Sequence, residues 1–161
     1  MPYEIIGETI KSATSIKLGE IFKVATTVDG KTTYTYPRRY KENVTKPTYP
    51  NFSIVQVELN VTPAGIGNNR IQLDYLMNIQ YRVAENTENI TNLQQQLDEV
   101  GLKLITELTE LNLELPTKTK NRYYEKVDGV CQMFFNITVF AKPETEDESK
   151  LESYELIEEV N

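Results

Sequence analysis

The residue best suited to nucleophilic chemistry is the chain's single cysteine, Cys131. A cysteine nucleophile needs a neighbouring base to raise its thiolate fraction, and the 161 residues include no histidine. Cys131 falls on the apolar phase of a predicted strand, so we predict that it packs in the core. A single cysteine also excludes an intrachain disulfide, and the missing histidines remove the commonest metal ligand.

Two carboxylates, Glu58 and Asp74, lie on neighbouring predicted strands, where such a pair would bind a divalent cation or act as acid and base. A metal-dependent nuclease needs further acids and usually a nearby lysine, which the segment Gln56 to Asn60 does not supply. We therefore interpret both as solvated or interfacial carboxylates. Gly65-Ile66-Gly67 precedes a strand, whereas a phosphate-binding loop must open a helix. The sequence thus predicts no catalytic residue, no metal and no cofactor.

The charge is distributed unevenly along the chain. Residues 143–161 carry eight acids and one base, whereas residues 1–142 carry sixteen of each, so the net charge of −7 belongs to the C-terminal segment. Three cations, Arg38, Arg39 and Lys41, cluster near a predicted strand end, but a protein that grips nucleic acid usually has a broad basic face. We expect no specific nucleic-acid binding.

The composition predicts one domain over residues 1–142, followed by an acidic tail over 143–161 that is either solvated and mobile or docks on a partner. Apolar residues in the last dozen positions leave an amphipathic docking helix open as an alternative. Residues 1–19 do not form a signal peptide, and no apolar run is long enough for a membrane span. We expect synthesis in a cytoplasm and no membrane partner.

Hydrophobic periodicity and turn residues predict the order of the elements. They are a helix from Tyr3 to about Phe22, a hairpin from Val24 to Tyr36 around Asp29-Gly30, a loop from Pro37 to Pro50, antiparallel strands Phe52–Thr62 and Ile71–Val83, a helix Asn89–Leu111, a loop Asn112–Thr119, and a hairpin of strands Arg122–Val127 and Val130–Ala141. This order predicts an α+β fold, a mostly antiparallel sheet with two helices packed on one face. Gly101, beside the apolar stripe of the second helix, favours a close approach to the sheet.

Tyrosine is enriched, with ten residues against no tryptophan. Four of them, Tyr34, Tyr36, Tyr40 and Tyr49, fall in or beside the proline-containing loop. Clustered tyrosines favour an interface, because the ring buries area at low entropic cost and keeps a hydroxyl for hydrogen bonding. Packing of this loop against its own domain is the equal alternative.

The order of elements and four stretches together resemble the tail terminator (tail completion) proteins of long-tailed phages and prophages of Gram-positive bacteria. The stretches are Tyr49-Pro50-Asn51-Phe52-Ser53-Ile54, Gly67-Asn68-Asn69-Arg70 with Leu73-Asp74-Tyr75, the leucine-rich helix that ends at Leu111, and the hairpin from Tyr124 to Phe135 around Asp128-Gly129. The similarity covers most of residues 1–142 and excludes the acidic tail.

The resemblance implies a structural virion protein without enzymatic activity. It would form a homo-hexameric ring on the head-proximal end of the tail tube, assembled in the host cytoplasm, where it stops tube polymerisation and joins the head. Its partners would be the tail tube protein, neck or head–tail connector proteins and, in contractile tails, the sheath protein. The expected interface comprises the polar strand faces and two loops, with Tyr36, Arg38, Arg39, Tyr40, Tyr49, Asn68, Asn69 and Arg70 as candidate residues.

Three alternatives remain open from the sequence. A head-closure or neck adaptor would form a ring that faces the portal instead. A metal-dependent nuclease-like hydrolase would use Glu58 and Asp74. It would show a divalent-cation requirement that is lost in an Asp74→Ala variant. An accessory binding module would stay monomeric and would not associate with tails.

Overall fold

The computed structural model describes residues 3–42, 44–65, 67, 69–83, 90–143 and 154–157. Within these residues the chain forms two helices, α1 (Tyr3–Phe22) and α2 (Ile90–Glu107). The strands are β1 (Val24–Val28), β2 (Lys31–Thr35), β3 (Arg39–Tyr40), β4 (Asn51–Ala64), β5 (Arg70–Arg82), β6 (Glu110–Leu113), β7 (Leu115–Val127), β8 (Val130–Pro143) and β9 (Tyr154–Ile157). The predicted α+β class is confirmed.

Seven strands form one sheet in the order β3-β4-β5-β8-β7-β6, and β9 also pairs with β8. Every pair is antiparallel except β3 with β4, which is parallel. β1 and β2 form a separate two-stranded sheet joined by Asp29-Gly30, and Asp128-Gly129 joins β7 to β8. In both dipeptides each residue has a positive φ, between 50° and 76°, as a two-residue hairpin turn requires.

Both helices cover the same face of the sheet, as the sequence predicts. β5 alternates as expected, and its residues Leu73, Tyr75, Met77 and Ile79 are fully buried beneath the helices. A Cβ added at Gly7 of α1 would lie 3.7 Å from the Tyr75 ring, so α1 lies directly on this layer. The opposite face of β5 carries the half-buried polar side chains Gln72, Asp74 and Gln80, as a strand with one solvated face should.

Gly101 brings α2 against β7. A Cβ at this position would lie 2.6 Å from Cγ and 2.7 Å from Cε2 of Tyr124, with Cδ2 nearer still. The Tyr124 hydroxyl donates a 3.1 Å hydrogen bond to Asp98 one turn earlier on α2, and Lys126 donates a 2.9 Å bond to the same carboxylate. These bonds hold the pKa of Asp98 below its ordinary value, mainly through Lys126. The predicted close approach is confirmed.

The second helix ends earlier than its leucine spacing predicts. It stops at Glu107, and Leu111 belongs to β6, which pairs with the first residues of β7 where the sequence predicts a loop. Arg122 of β7 donates a 3.0 Å bond to the Ile105 carbonyl, and Thr119 donates a 2.5 Å bond to the Leu108 carbonyl. The carbonyls at the end of α2 are therefore capped by side chains of a distant strand, which local sequence does not indicate.

Four residues of the acidic segment, Tyr154–Ile157, form β9 and pair with Phe140–Pro143 at the end of β8. This stretch is a strand instead of the helix considered for the last dozen residues. Residues 144–153 and 158–161 lie outside the described residues. No helix in the described part of the chain is long and apolar enough to cross a membrane.

Candidate assembly interface

The candidate interface residues separate into two groups at opposite ends of the β4–β5 hairpin. Tyr36, Arg38, Arg39, Tyr40 and Tyr49 precede the start of β4. Asn69 and Arg70 lie at its far end, and Asn68 lies outside the described residues. A strand of 14 residues is about 45 Å long, so these groups form two surfaces and not one.

The first group surrounds a cavity of about 420 Å³ at the base of the β1–β2 hairpin. Tyr36, Arg38 and Tyr49 contribute to its wall, together with Phe22, Val24, Thr35, Pro37, Pro50, Asn51, Phe52, Tyr81 and Val100. Two close ring pairs form one side, since the centroids of Phe22 and Phe52, and of Phe52 and Tyr81, are each 4.8 Å apart. The arrangement is an aromatic pocket with one cationic residue.

Arg39 and Tyr40 make contacts within the domain. Arg39 Nη1 donates a 2.9 Å hydrogen bond to the Ser15 carbonyl of α1, and its guanidinium lies against Gly19, where no side chain intervenes. The Tyr40 hydroxyl accepts a 3.2 Å bond from the Thr48 amide and so fixes the loop before β4. Arg38, by contrast, is exposed and lines the pocket, so it can meet a partner that binds there.

At the far end, Arg70 lies with its guanidinium 4.9 Å from the centre of the Phe140 ring. Its Nε is buried and has no hydrogen-bond partner among the described residues. Asn69 Oδ1 approaches Gly65, whose φ of 79° lets the chain turn out of β4. Arg70 is therefore held on the sheet by its ring contact, and Asn69 belongs to the turn.

The two carboxylates share the polar face of the sheet, but polar neighbours engage both of them. In the β4–β5 register Glu58 is opposite Leu76, whereas Asp74 is opposite Asn60, so the acids are diagonal to each other. Asp74 accepts a 2.9 Å bond from Gln72 and a 2.6 Å bond from the Thr138 hydroxyl, and Glu58 accepts a 3.4 Å bond from Asn60. Among the described residues there is no group of three potential ligands from His, Cys, Asp and Glu.

Cys131 is fully buried on β8, as predicted. Burial raises the pKa of its thiol from 9.0 to about 11, and the charge of Asp98 acts in the same direction. The thiol therefore stays protonated at neutral pH, and its position on the covered side of the sheet gives it a packing role.

Sequence reasoning missed two backbone features, and the first is the arm, which we define as the β1–β2 hairpin. All ten strand residues of the arm are exposed. Asp29-Gly30 predicted a hairpin, but nothing in its composition indicated that the hairpin would stand away from the sheet.

The second missed feature is the outer side of β4, where β3 covers only Phe52 and Ser53. Beyond Ser53 no described strand pairs with this side of β4. The segment 54–64 is therefore a long free sheet edge.

No protein-family model matches the chain, and no curated protein matches it significantly.

Proposed function

We propose that the protein is a structural virion component that forms a ring, hexameric by resemblance, on the head-proximal end of a phage tail tube. There it ends tube polymerisation and provides the joint to the head or neck. The observation that best supports this proposal is the strand backbone that has no pairing strand among the described residues, in the arm and along the β4 edge. Unpaired strand backbone is a template for pairing with another chain.

The chemistry of the described side chains also favours assembly over catalysis. The carboxylates Glu58 and Asp74 are hydrogen-bonded to amides and a hydroxyl. The buried thiol of Cys131 is kept neutral by its raised pKa. The mechanism is steric, because a ring that occupies the end of the tube covers the surface on which the next tube ring would stack.

The proposed partners are further copies of this chain, the tail tube protein and a neck or head–tail connector protein, with the sheath protein added in contractile tails. The proposed location is the head-proximal end of the tail. The polar face of the sheet and the pocket beside Arg38 are the surfaces available for these partners.

Native mass spectrometry over a concentration series, with and without purified tail tubes, tests this function. Hexamers, alone or only on tubes, with a ring at one tube end in electron micrographs, are the expected result. A ring that ignores tubes but binds portal or connector rings would replace the proposal with a neck adaptor. A monomer that ignores both would overturn it.

A further inference from the structure

The arm is a two-stranded sheet whose strand residues are all exposed. Val24 and Val28 are 61% and 63% exposed and Tyr34 is 50% exposed, although β-branched and aromatic residues favour half-buried strands. Within the described residues the arm strands pair only with each other. An isolated hairpin of this kind is marginally stable in water, so the arm gains most from a further strand.

The register of the arm shows which backbone groups are available for such a strand. The two-residue turn makes Val28 and Lys31 a hydrogen-bonded pair, and the pattern alternates from there along both strands. The N–H and C=O groups of Ala25 and Thr27 therefore point outward from β1. Those of Thr32 and Tyr34 point outward from β2.

The β4 edge offers the matching groups. The Phe52 amide donates a 2.8 Å bond outward to the Arg38 carbonyl, which fixes the direction of the alternation at the start of the strand. A bulge between Gln56 and Glu58 shifts the register by one, so that Leu59 and Val61 lie on the helix-covered face and direct their backbone groups outward. Pro63 occupies the next outward position and ends the edge, since proline has no N–H to offer.

Charge also favours the β4 edge over the other long edge of the sheet. Beyond its pairing with β6, the outer edge of β7 carries Lys120, Arg122 and Lys126 against one acid, Glu125, and lysine on an edge strand opposes pairing with another chain. The β4 edge, residues 54–64, contains one charged residue, Glu58, and the arm strands contain one of opposite sign, Lys31.

We propose that the arm of one copy adds as strands to the β4 edge of the next copy, an inference that rests on the proposed ring and names its subunit contact. The occupant is a second copy, because the same chain carries both the arm and the β4 edge at different places on its surface. Neither of them pairs with a further strand among the described residues. A contact between two different patches is head-to-tail, and it closes into a ring when the rotation between subunits permits. Main-chain hydrogen bonds supply the affinity, as in other cases of strand addition.

Two variants separate the halves of the contact. In the first, residues 25–34 are replaced by Asn-Gly, which re-creates a two-residue turn on the Val24–Thr35 pair and removes the arm. In the second, Val61→Pro, an outward N–H is removed from the β4 edge while no bond to β5 is lost. Val61→Thr keeps the N–H and is the matched control, and Val61→Lys blocks the edge by charge if the proline variant does not fold by circular dichroism.

Native mass spectrometry then reads the oligomeric state of each variant alone, mixed and on tail tubes. We expect the arm variant and the blocked-edge variant to lose ring formation, with assembly weakened roughly 100-fold or more, while Val61→Thr assembles like the wild type. A mixture of the two defective variants should form a 1:1 dimer and grow no further, because one intact arm meets one intact edge.

Rings that persist in either defective variant, or a mixture without dimers, would overturn the inference and leave the tail-end function in place. Arm-dependent wild-type rings that ignore tubes would support the inference and overturn that function. A wild type that stays monomeric with and without tubes would overturn both.

Discussion

Replacing Gly101 with alanine should destabilise the protein, although alanine is the better helix former. At an unconstrained helix position this change would stabilise by about 1 kcal/mol. Here the added methyl would overlap three ring atoms of Tyr124, two of them at 2.6 and 2.7 Å. Tyr124 belongs to β7, and its hydroxyl bond to Asp98 limits how far the ring can move.

The size of the effect follows from two opposing contributions. Overpacking a well-packed core costs about 1–3 kcal/mol, and displacing the ring also weakens the hydrogen bond from Tyr124 to Asp98, which acts in the same direction. After the helix gain of about 1 kcal/mol is subtracted, we expect a net loss of about 1–2 kcal/mol. At about 2–4 °C per kcal/mol for a chain of this size, the melting temperature should then fall by about 2–8 °C.

Urea unfolding of four proteins tests the reasoning: the wild type, Gly101→Ala, Tyr124→Ala and the double variant. In the Tyr124→Ala background the obstructing ring is absent, so the same glycine replacement should become neutral or stabilising. An equal loss in both backgrounds would refute the steric explanation. A stabilised Gly101→Ala single variant would refute the close approach of α2 to β7.

Three further predictions concern charge and protonation. Because burial raises the pKa of Cys131 from 9.0 to about 11, the folded state favours the protonated thiol. The free energy of unfolding should therefore fall as the pH rises from 9 to 11, and urea unfolding should show a smaller fall in Cys131→Ala. Arg38→Glu should weaken tube binding in a co-sedimentation assay without changing the melting temperature. Arg39→Glu should lower the melting temperature, because Arg39 donates a hydrogen bond to α1. Asp74→Ala should cost about 1–2 kcal/mol because it removes the acceptor of the Thr138 and Gln72 hydrogen bonds. Melting with Mg²⁺ or EDTA should not change in either protein; a metal-dependent shift in the wild type alone would support the hydrolase hypothesis instead.

The features that the sequence predicts correctly depend on local signals that tertiary structure reinforces. The alternation of β5 is reliable because both of its neighbours are antiparallel strands and one face is buried, so any slip would expose the whole core side. Both Asp-Gly dipeptides adopt the left-handed φ values that a two-residue turn requires. Gly101 was informative because a glycine in a leucine-rich helix needs a packing reason.

The features that the sequence does not predict depend on contacts between residues that are distant in the chain. The end of α2 depends on Arg122 and Thr119, which cap carbonyls across a gap of more than ten residues. Leu111 fits both the helical spacing from Leu108 and the strand alternation with Leu113, so periodicity alone could not choose. The bulge in β4 is invisible for the same reason, since an inserted residue changes the phase without changing the composition.

The candidate interface shows the same limit. A cluster of cations in the sequence predicts a charged surface, but it does not predict which of the side chains will form hydrogen bonds within the domain. Arg39 is directed inward because Gly19 leaves space for the guanidinium beside α1, and the two residues are twenty positions apart. Arg38, the adjacent residue, stays exposed. The useful prediction was therefore the location of the cluster, while the division of roles within it required the fold.

The proposed subunit contact also separates the two tasks of a tail-end ring. Strand addition uses the edge of the sheet, so it leaves the polar face available for partners that stack along the ring axis. On that face Asp74 is held by Gln72 and Thr138, and Gln80 donates to Asn78, which fixes their amide and carboxylate groups in place. Such a preorganised surface loses little side-chain entropy when a partner binds. Ring closure and tube binding would then depend on different residues, so a variant that abolishes tube binding through the polar face should still close the ring.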